Sequence, residues 1–170
     1  MSQLKVDSII PRGGLPSGAN GGIIQTVAVH KSDSTSTTST SFTDSGLEAS
    51  ITPQSSSNKI LIISDAKMGM ASGNIGYVGL FRGSTQICLG DTNSSKIRCY
   101  SDFDGSSASH DSCVASVIFL DSPGTTSATT YKIMMRGNNG NTVRLNVSGS
   151  DRSSNDGTFG SNLILMEVSV

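Results

Sequence analysis

The sequence contains no tryptophan, and aromatic residues occupy only 5% of its 170 positions. Charged residues are also scarce, at 15%, and the formal net charge is −1. Because there is no excess of basic residues to neutralise phosphates, we expect no nucleic-acid partner. No apolar run approaches the roughly 18 residues that a membrane-spanning helix needs, so we expect no membrane insertion.

Cysteine is rare as well, with thiols only at Cys88, Cys99 and Cys113. An odd number at irregular spacing does not match a disulfide framework. Cys113 begins an apolar run and is expected to be a small buried hydrophobic residue.

The opening MSQLKVDSII lacks the basic stretch and the long apolar run of a secretion signal. We therefore expect the protein to stay in the cytoplasm in which it is made until lysis releases it.

Catalytic motifs are missing too. The two histidines, His30 and His110, are interpreted as ordinary polar positions, because no nucleophile motif such as G-x-S-x-G accompanies them. The run SDFDGS places Asp102 and Asp104 as in a calcium loop, but position twelve of that loop, which should be Glu, is Cys113. We expect no enzyme activity and no calcium site of this type.

Two further patterns, one for zinc and one for phosphate, do not match the motifs that bind these ligands. Cys99, His110 and Cys113 do not match the ligand spacing of any structural zinc module. The glycine-rich run GGLPSGANGG lacks the Lys-Ser/Thr ending of a phosphate-binding loop. We therefore expect no metal and no cofactor.

What the sequence does contain is a series of short strand patterns. Serine and threonine together exceed a quarter of the chain, and these residues suit strands and turns better than helices. Apolar residues alternate with polar ones in several segments, and KILIISDAKMGM includes a continuous apolar run from Ile60 to Ile63. Eight to ten strands separated by turns, with GNNGN as a hairpin turn, predict one antiparallel β-sandwich of jelly-roll type over residues 23–170.

Residues 1–22 differ from this pattern. A short apolar stretch is followed by PRGGLPSGANGG, with two prolines and five glycines. These residues resist regular pairing and ordering, so we predict an extended N-terminal arm. By strand addition to another protein, the arm would anchor the domain through its apolar residues Leu4, Val6, Ile9, Ile10 and Leu15.

Two more groups of residues are candidate contact sites. The stretch from Asp91 to Ser112 is the longest irregular one, and long loops on a rigid sandwich often bind ligands. It could be a receptor-facing loop, with Tyr100, Phe103 and His110 stacking on sugars, or only a connection. The second group could make trimer contacts or fill the core of a single chain; it consists of Met68, Met70, Tyr77 and Phe81.

Several segments carry a resemblance to a known group of proteins. The opening MSQLKVDSI resembles the start of virion fibre proteins of marine bacteriophages, especially phages of cyanobacteria and similar oceanic hosts. Other segments resemble the bodies of the same proteins, namely GGIIQTVAVHK, SFTDSGLEASITPQSSSNKILI, GYVGLFRGST, FLDSPGTTSATTYKIMMRG and the closing LILMEV. The resemblance covers most of the chain. It implies a trimeric β-sandwich knob on the virion surface, in a tail fibre, a head fibre or a capsid decoration protein.

The resemblance brings no catalytic residues with it. The chain has a short arm and one knob where a tail fibre has a long shaft, which favours a small accessory protein. We expect a non-enzymatic homotrimer, a capsid decoration or head-fibre protein that residues 1–22 dock to the particle. The alternative is a tail-fibre or tail-tip protein for host attachment, which recognises a glycan or a protein on the host surface.

Overall fold

The computed structural model describes residues 22–70, 74–105, 112–149 and 157–170. All regular secondary structure in these ranges is β-strand, and no helix among them could cross a membrane. The strands are β1 (Ile23–Lys31), β2 (Thr35–Thr37), β3 (Thr43–Ile51), β4 (Lys59–Met70), β5 (Ile75–Arg82), β6 (Thr85–Ile87), β7 (Ser101–Asp104), β8 (Ser112–Asp121), β9 (Thr129–Gly137), β10 (Val143–Leu145) and β11 (Ser161–Val168).

The strands form two antiparallel sheets that pack face to face. In the first sheet, β1, β11, β4 and β8 are neighbours in that order. The short strand β10 pairs with the last residues of β4, on the same side of β4 as β11, and β2 pairs with β10. In the second sheet, β3, β9 and β5 are neighbours, and β6 and β7 pair with successive parts of β5. The chain passes repeatedly from one sheet to the other, as in antiparallel β-sandwiches. The predicted antiparallel β-sandwich is confirmed.

Strict alternation of side chains builds the core between the sheets. On β3, Leu47, Ala49 and Ile51 point inward and are buried, while the residues between them are exposed. Each strand contributes alternate residues because successive side chains of a strand lie on opposite faces. With tryptophan absent, the largest buried side chain is Tyr131, which is surrounded by isoleucine, leucine, valine and methionine. This one chain therefore encloses a continuous apolar core.

The closing strand places one carboxylate inside this core. Glu167 is fully buried and follows Leu163 and Leu165 on the inner face of β11. Its Oε1 atom accepts hydrogen bonds of 2.7 Å from the backbone amide of Gln54 and from the side-chain amide of Asn58. These donors satisfy a charge that would otherwise be costly to bury.

Two details differ from the sequence-based expectation. Asn139 and Gly140 form the tip of the GNNGN turn, with positive φ at both residues as in a type I′ turn. The strands that this turn joins, β9 and β10, lie in different sheets, so it does not close a hairpin. The stretch from Asp91 to Ser112 is also not irregular throughout, because it contains β7, which pairs with β5.

Candidate interaction surface

The outward side of the first sheet carries an unusual number of apolar side chains. Inward residues of β4, β8 and β11, such as Ile62, Val117 and Leu165, are buried in the core. The residues between them are also large and apolar, although they point away from the core. We call this surface the apolar face and define it by Leu61, Ile63, Ile118, Leu120, Ile164 and Met166.

Strand pairing arranges these residues in two rows. Ile63 of β4 lies opposite Ile118 on one side and Ile164 on the other. In the next row, Leu61 lies between Leu120 and Met166. Each row is therefore three strands wide, and directly opposed apolar side chains contact one another.

The apolar face is open to solvent, most of all on β8. Ile118 is 76% exposed and Leu120 is 47% exposed. An open hollow of about 390 Å³ lies between Ile63, Ile118 and Ile164. Single exposed apolar residues are common, but contiguous apolar patches usually mark a contact surface. This surface can bind another apolar surface; nothing in its chemistry indicates a reaction.

A polar row borders the apolar face at one end. Asn162 donates to the Oδ1 atom of Asp65 from its backbone amide at 2.8 Å and from its side chain at 3.0 Å. Nδ1 of His30 lies 2.8 Å from Oδ1 of the same asparagine. Partial burial alone would raise the pKa of Asp65, but the hydrogen bonds from Asn162 and Lys67 outweigh it and hold this pKa below its usual value.

The free edge of β8 adds a second feature to this surface. β8 pairs with β4 over its whole length, from Asp121 opposite Ile60 to Ser112 opposite Gly69. Among the strands that the structure describes, β4 is its only partner. The other edge of β8 therefore offers backbone donors and acceptors to a further strand.

The predicted receptor-facing loop has a different arrangement from the one expected. Tyr100 and Phe103 pack against the core, and the hydroxyl of Tyr100 lies 3.5 Å from the carbonyl of Ala115 on β8. A Cβ added to Gly76 would lie 2.5 Å from the Phe103 ring, which shows how closely this ring covers the strand. These two rings therefore do not project as a sugar-stacking platform. His110 lies outside the described residues.

The neighbouring part of this loop forms a small polar hollow instead. It has a volume of about 310 Å³ and is lined by Tyr77, Ser95, Lys96, Ile97 and Asp102. The guanidinium carbon of Arg136 lies 5.5 Å from the centre of the Tyr77 ring, so one face of that ring is already in contact with a cation.

The candidate trimer-contact residues divide into two pairs. Met68 and Met70 are fully buried in the core of this one chain, so a subunit contact through them is corrected to a core role. Tyr77 and Phe81 lie on the outer side of the second sheet, where Phe81 is 9% exposed and packs edge-on against Phe42 at 5.5 Å. Only Tyr77 of the four keeps appreciable exposed surface.

The three thiols surround Tyr100 without forming a bond. Cys88, Cys99 and Cys113 are free and half-buried. Burial raises the pKa of each thiol, so all three are protonated at neutral pH.

Within the described ranges, no three His, Cys, Asp or Glu side chains lie close enough to share a metal ion. The arm residues Leu4, Val6, Ile9, Ile10 and Leu15 lie outside the described residues.

The comparisons with known proteins add no family to these observations. No family model matches the chain, and no curated protein matches it.

The apolar face was not predicted from the sequence, although a signal was present. The runs KILII, VIFL and LILM are apolar on both faces of their strands, whereas a strand with one solvated face alternates.

Proposed function

We propose that this protein is a non-enzymatic structural component of a bacteriophage particle. In this proposal the sandwich assembles as a homotrimer on the virion surface, as a capsid decoration or head-fibre protein, and residues 1–22 attach it to the particle. The resemblance of several segments to phage fibre proteins supports the virion location. The observation that carries the assembly is the apolar face of the first sheet.

The physical reason is the cost of leaving this face in water. Ile118 is largely solvated in the single chain and Leu120 is about half solvated, and four further apolar side chains lie beside them. Burying an isoleucine as exposed as Ile118 contributes about 1.5–2 kcal/mol. Burial of the whole face between copies would therefore stabilise an oligomer, and its polar border would remain in water.

The assembly is tested by measuring mass in solution. We expect the full-length protein to sediment as a trimer, and Ile164→Lys to shift it towards the monomer, because a charge in the middle of the apolar face would be buried without a partner. Ser84→Lys, in an exposed turn of the second sheet, is the matched control and should remain a trimer. A monomeric wild-type protein at micromolar concentration would contradict the trimer.

The location is tested by immunogold labelling of intact particles with an antibody against the sandwich. Label spread over the shell is the expected result. Label confined to the tail would favour the alternative of a tail-fibre or tail-tip protein. Particles without label would exclude a virion protein altogether.

A second candidate function is recognition of a host surface glycan or protein. The polar hollow beside Tyr77 favours it, because a ring edge, an ammonium group and a carboxylate surround an open space of about 310 Å³. Sugars bind at such combinations of aromatic and polar groups. If this candidate is right, Lys96→Ala with Asp102→Ala should abolish binding of the purified protein to host cells, while Ser84→Lys should not.

A further inference from the structure

The side chains along the free edge of β8 have a specific order. On the outward side, Val114, Ile118 and Leu120 are apolar and exposed, and Ser116 interrupts them. Read from the end of the strand to its start, the order is apolar, apolar, serine, apolar. A strand that pairs here in an antiparallel direction would bury most apolar area if its own outward residues repeated that order.

The N-terminal segment LKVDSII has this order. Alternate residues of the segment are Leu4, Val6, Ser8 and Ile10, again apolar, apolar, serine, apolar. Antiparallel alignment with β8 therefore opposes like with like at four successive positions: Leu4 with Leu120, Val6 with Ile118, Ser8 with Ser116, and Ile10 with Val114. In the parallel direction, Val6 and Ser8 would instead oppose a serine and an isoleucine.

We propose that residues 4–10 of the chain add to the free edge of β8 as an antiparallel strand. The new strand would extend the apolar face by one strand and satisfy the unpaired backbone groups of β8. Lys5 and Asp7 would alternate to the other side, at the rim of the sandwich where charged groups reach water.

The length of the intervening chain allows this pairing. The described chain enters the first sheet at Gly22, whose carbonyl accepts from the amide of Ser169 beside the start of β1. Gly22 lies at the level of the end of β8, whereas Ile10 would lie opposite Val114 near its start, about 30 Å further along the strands. Together with four strand spacings of about 19 Å across the sheet, this gives a straight distance of about 35 Å. Twelve residues from Ile10 to Gly22 span up to about 40 Å. The segment can therefore come from the same chain or from a neighbouring copy.

This inference goes beyond the proposed function, because it gives residues 4–10 a partner within the protein itself. It also narrows the proposed anchor, because Leu4, Val6 and Ile10 would pair with β8 and only Leu15 and the remainder of the arm would be left for contact with the particle. Donated by a neighbouring copy, the segment would link copies through main-chain hydrogen bonds in addition to the apolar face.

Hydrogen exchange of the purified full-length protein, followed by mass spectrometry, tests the pairing. We expect residues 4–10 to exchange at least tenfold more slowly than an unstructured peptide. The double variant Val6→Pro with Asp7→Pro should speed exchange by at least tenfold in residues 4–10 and in those amides of residues 112–121 that do not bond to β4. Two adjacent prolines are needed because neighbouring amides of a strand point to opposite sides.

The matched control places the same two prolines later in the arm, as Ala19→Pro with Asn20→Pro, and should change neither region. Unprotected residues 4–10 in the wild type would overturn the proposal. Protection that survives Val6→Pro with Asp7→Pro at the β8 amides that do not bond to β4 would also overturn it, and would indicate another occupant, such as β8 of a second copy. Because these measurements use purified protein, they are independent of particle labelling.

The donor is identified by cross-linking a mixture of copies labelled with light and heavy nitrogen. The aligned segment places Lys5 opposite Phe119, near the end of β8 and two strands from Lys59 at the start of β4, a separation that a lysine cross-linker can span. The light and heavy copies are unfolded, mixed and refolded together. Lys5–Lys59 links that join light to heavy copies then mean exchange between chains, and links found only within one isotope mean that the chain covers its own edge. Both outcomes support the strand addition. The Lys5–Lys59 link should be absent in the variant Val6→Pro with Asp7→Pro, which completes the test.

Discussion

The phenolic hydroxyl of Tyr131 donates a 2.7 Å hydrogen bond to Oδ2 of Asp121. The tyrosine belongs to β9 in one sheet and the aspartate ends β8 in the other, so this bond connects the two sheets. Arg82 of β5 approaches the same carboxylate with Nη1 at 2.8 Å and 3.0 Å from its two oxygens. The cluster lies at the same end of the sandwich as Glu167, because Asp121 and Glu167 both lie opposite Ile60.

Removal of this hydroxyl should weaken the sandwich. We expect Tyr131→Phe to lower the free energy of unfolding by about 1.5–3 kcal/mol, because a hydrogen bond to a buried charged group is lost. Urea denaturation measures the change. The control is Tyr100→Phe, whose hydroxyl lies 3.5 Å from its acceptor, too far for a strong bond, and this variant should change stability by less than about 0.5 kcal/mol. Equal losses in the two variants would contradict the assignment.

The same tyrosine predicts a loss of stability in alkali. Burial, followed by the bond to the carboxylate, raises the pKa of Tyr131 above its ordinary value of 10.0. The folded state thus holds the proton more tightly than the unfolded state. The stabilisation is complete below pH 10 and is lost as pH rises above it. Free energies of unfolding measured from pH 8 to 11 should fall less steeply in Tyr131→Phe than in the wild type.

The buried carboxylate of Glu167 gives a prediction with an internal control. In Glu167→Gln, the oxygen that faces the amides of Gln54 and Asn58 remains an acceptor but loses its charge, so both hydrogen bonds weaken and we expect a loss of about 1–2 kcal/mol. Glu48→Gln removes a carboxylate that is 47% exposed and pairs with Lys132 at the surface. That variant should cost less than about 0.5 kcal/mol. Thermal unfolding compares the two, and similar melting temperatures would be the contrary result.

The polar border of the apolar face predicts a response to acid. The pKa of Asp65 is lowered from 3.8 in the folded state, where Asn162 and Lys67 bond to the charged form. This carboxylate therefore contributes stability above about pH 4, and the contribution is lost as pH falls further. Because 36% of the side chain is exposed and the surrounding water screens the charge, we expect about 0.5 kcal/mol. Asp65→Asn should flatten the curve of stability between pH 5 and 2; a slope equal to that of the wild type would argue against the effect.

Much of the architecture could be predicted from local patterns. The alternation of Leu47, Ala49 and Ile51 predicted which side of β3 faces the core, and the turn residues Asn139 and Gly140 predicted the sharp reversal after β9. Side chains of a strand repeat every two residues, so burial on one side is readable from sequence alone. The partner strand is not readable in this way, which is why the turn suggested a hairpin although its strands lie in different sheets.

The sequence by itself determined that this protein is an all-β sandwich with a core of aliphatic residues and methionine. Only the tertiary structure decided that Met68 and Met70 face the core, that Tyr100 and Phe103 pack inward, and that a second apolar surface faces outward. The physical reason is that Leu61, Ile63, Ile118 and Ile164 come from three strands distant in the chain. They become one surface only when antiparallel pairing sets those strands side by side in register.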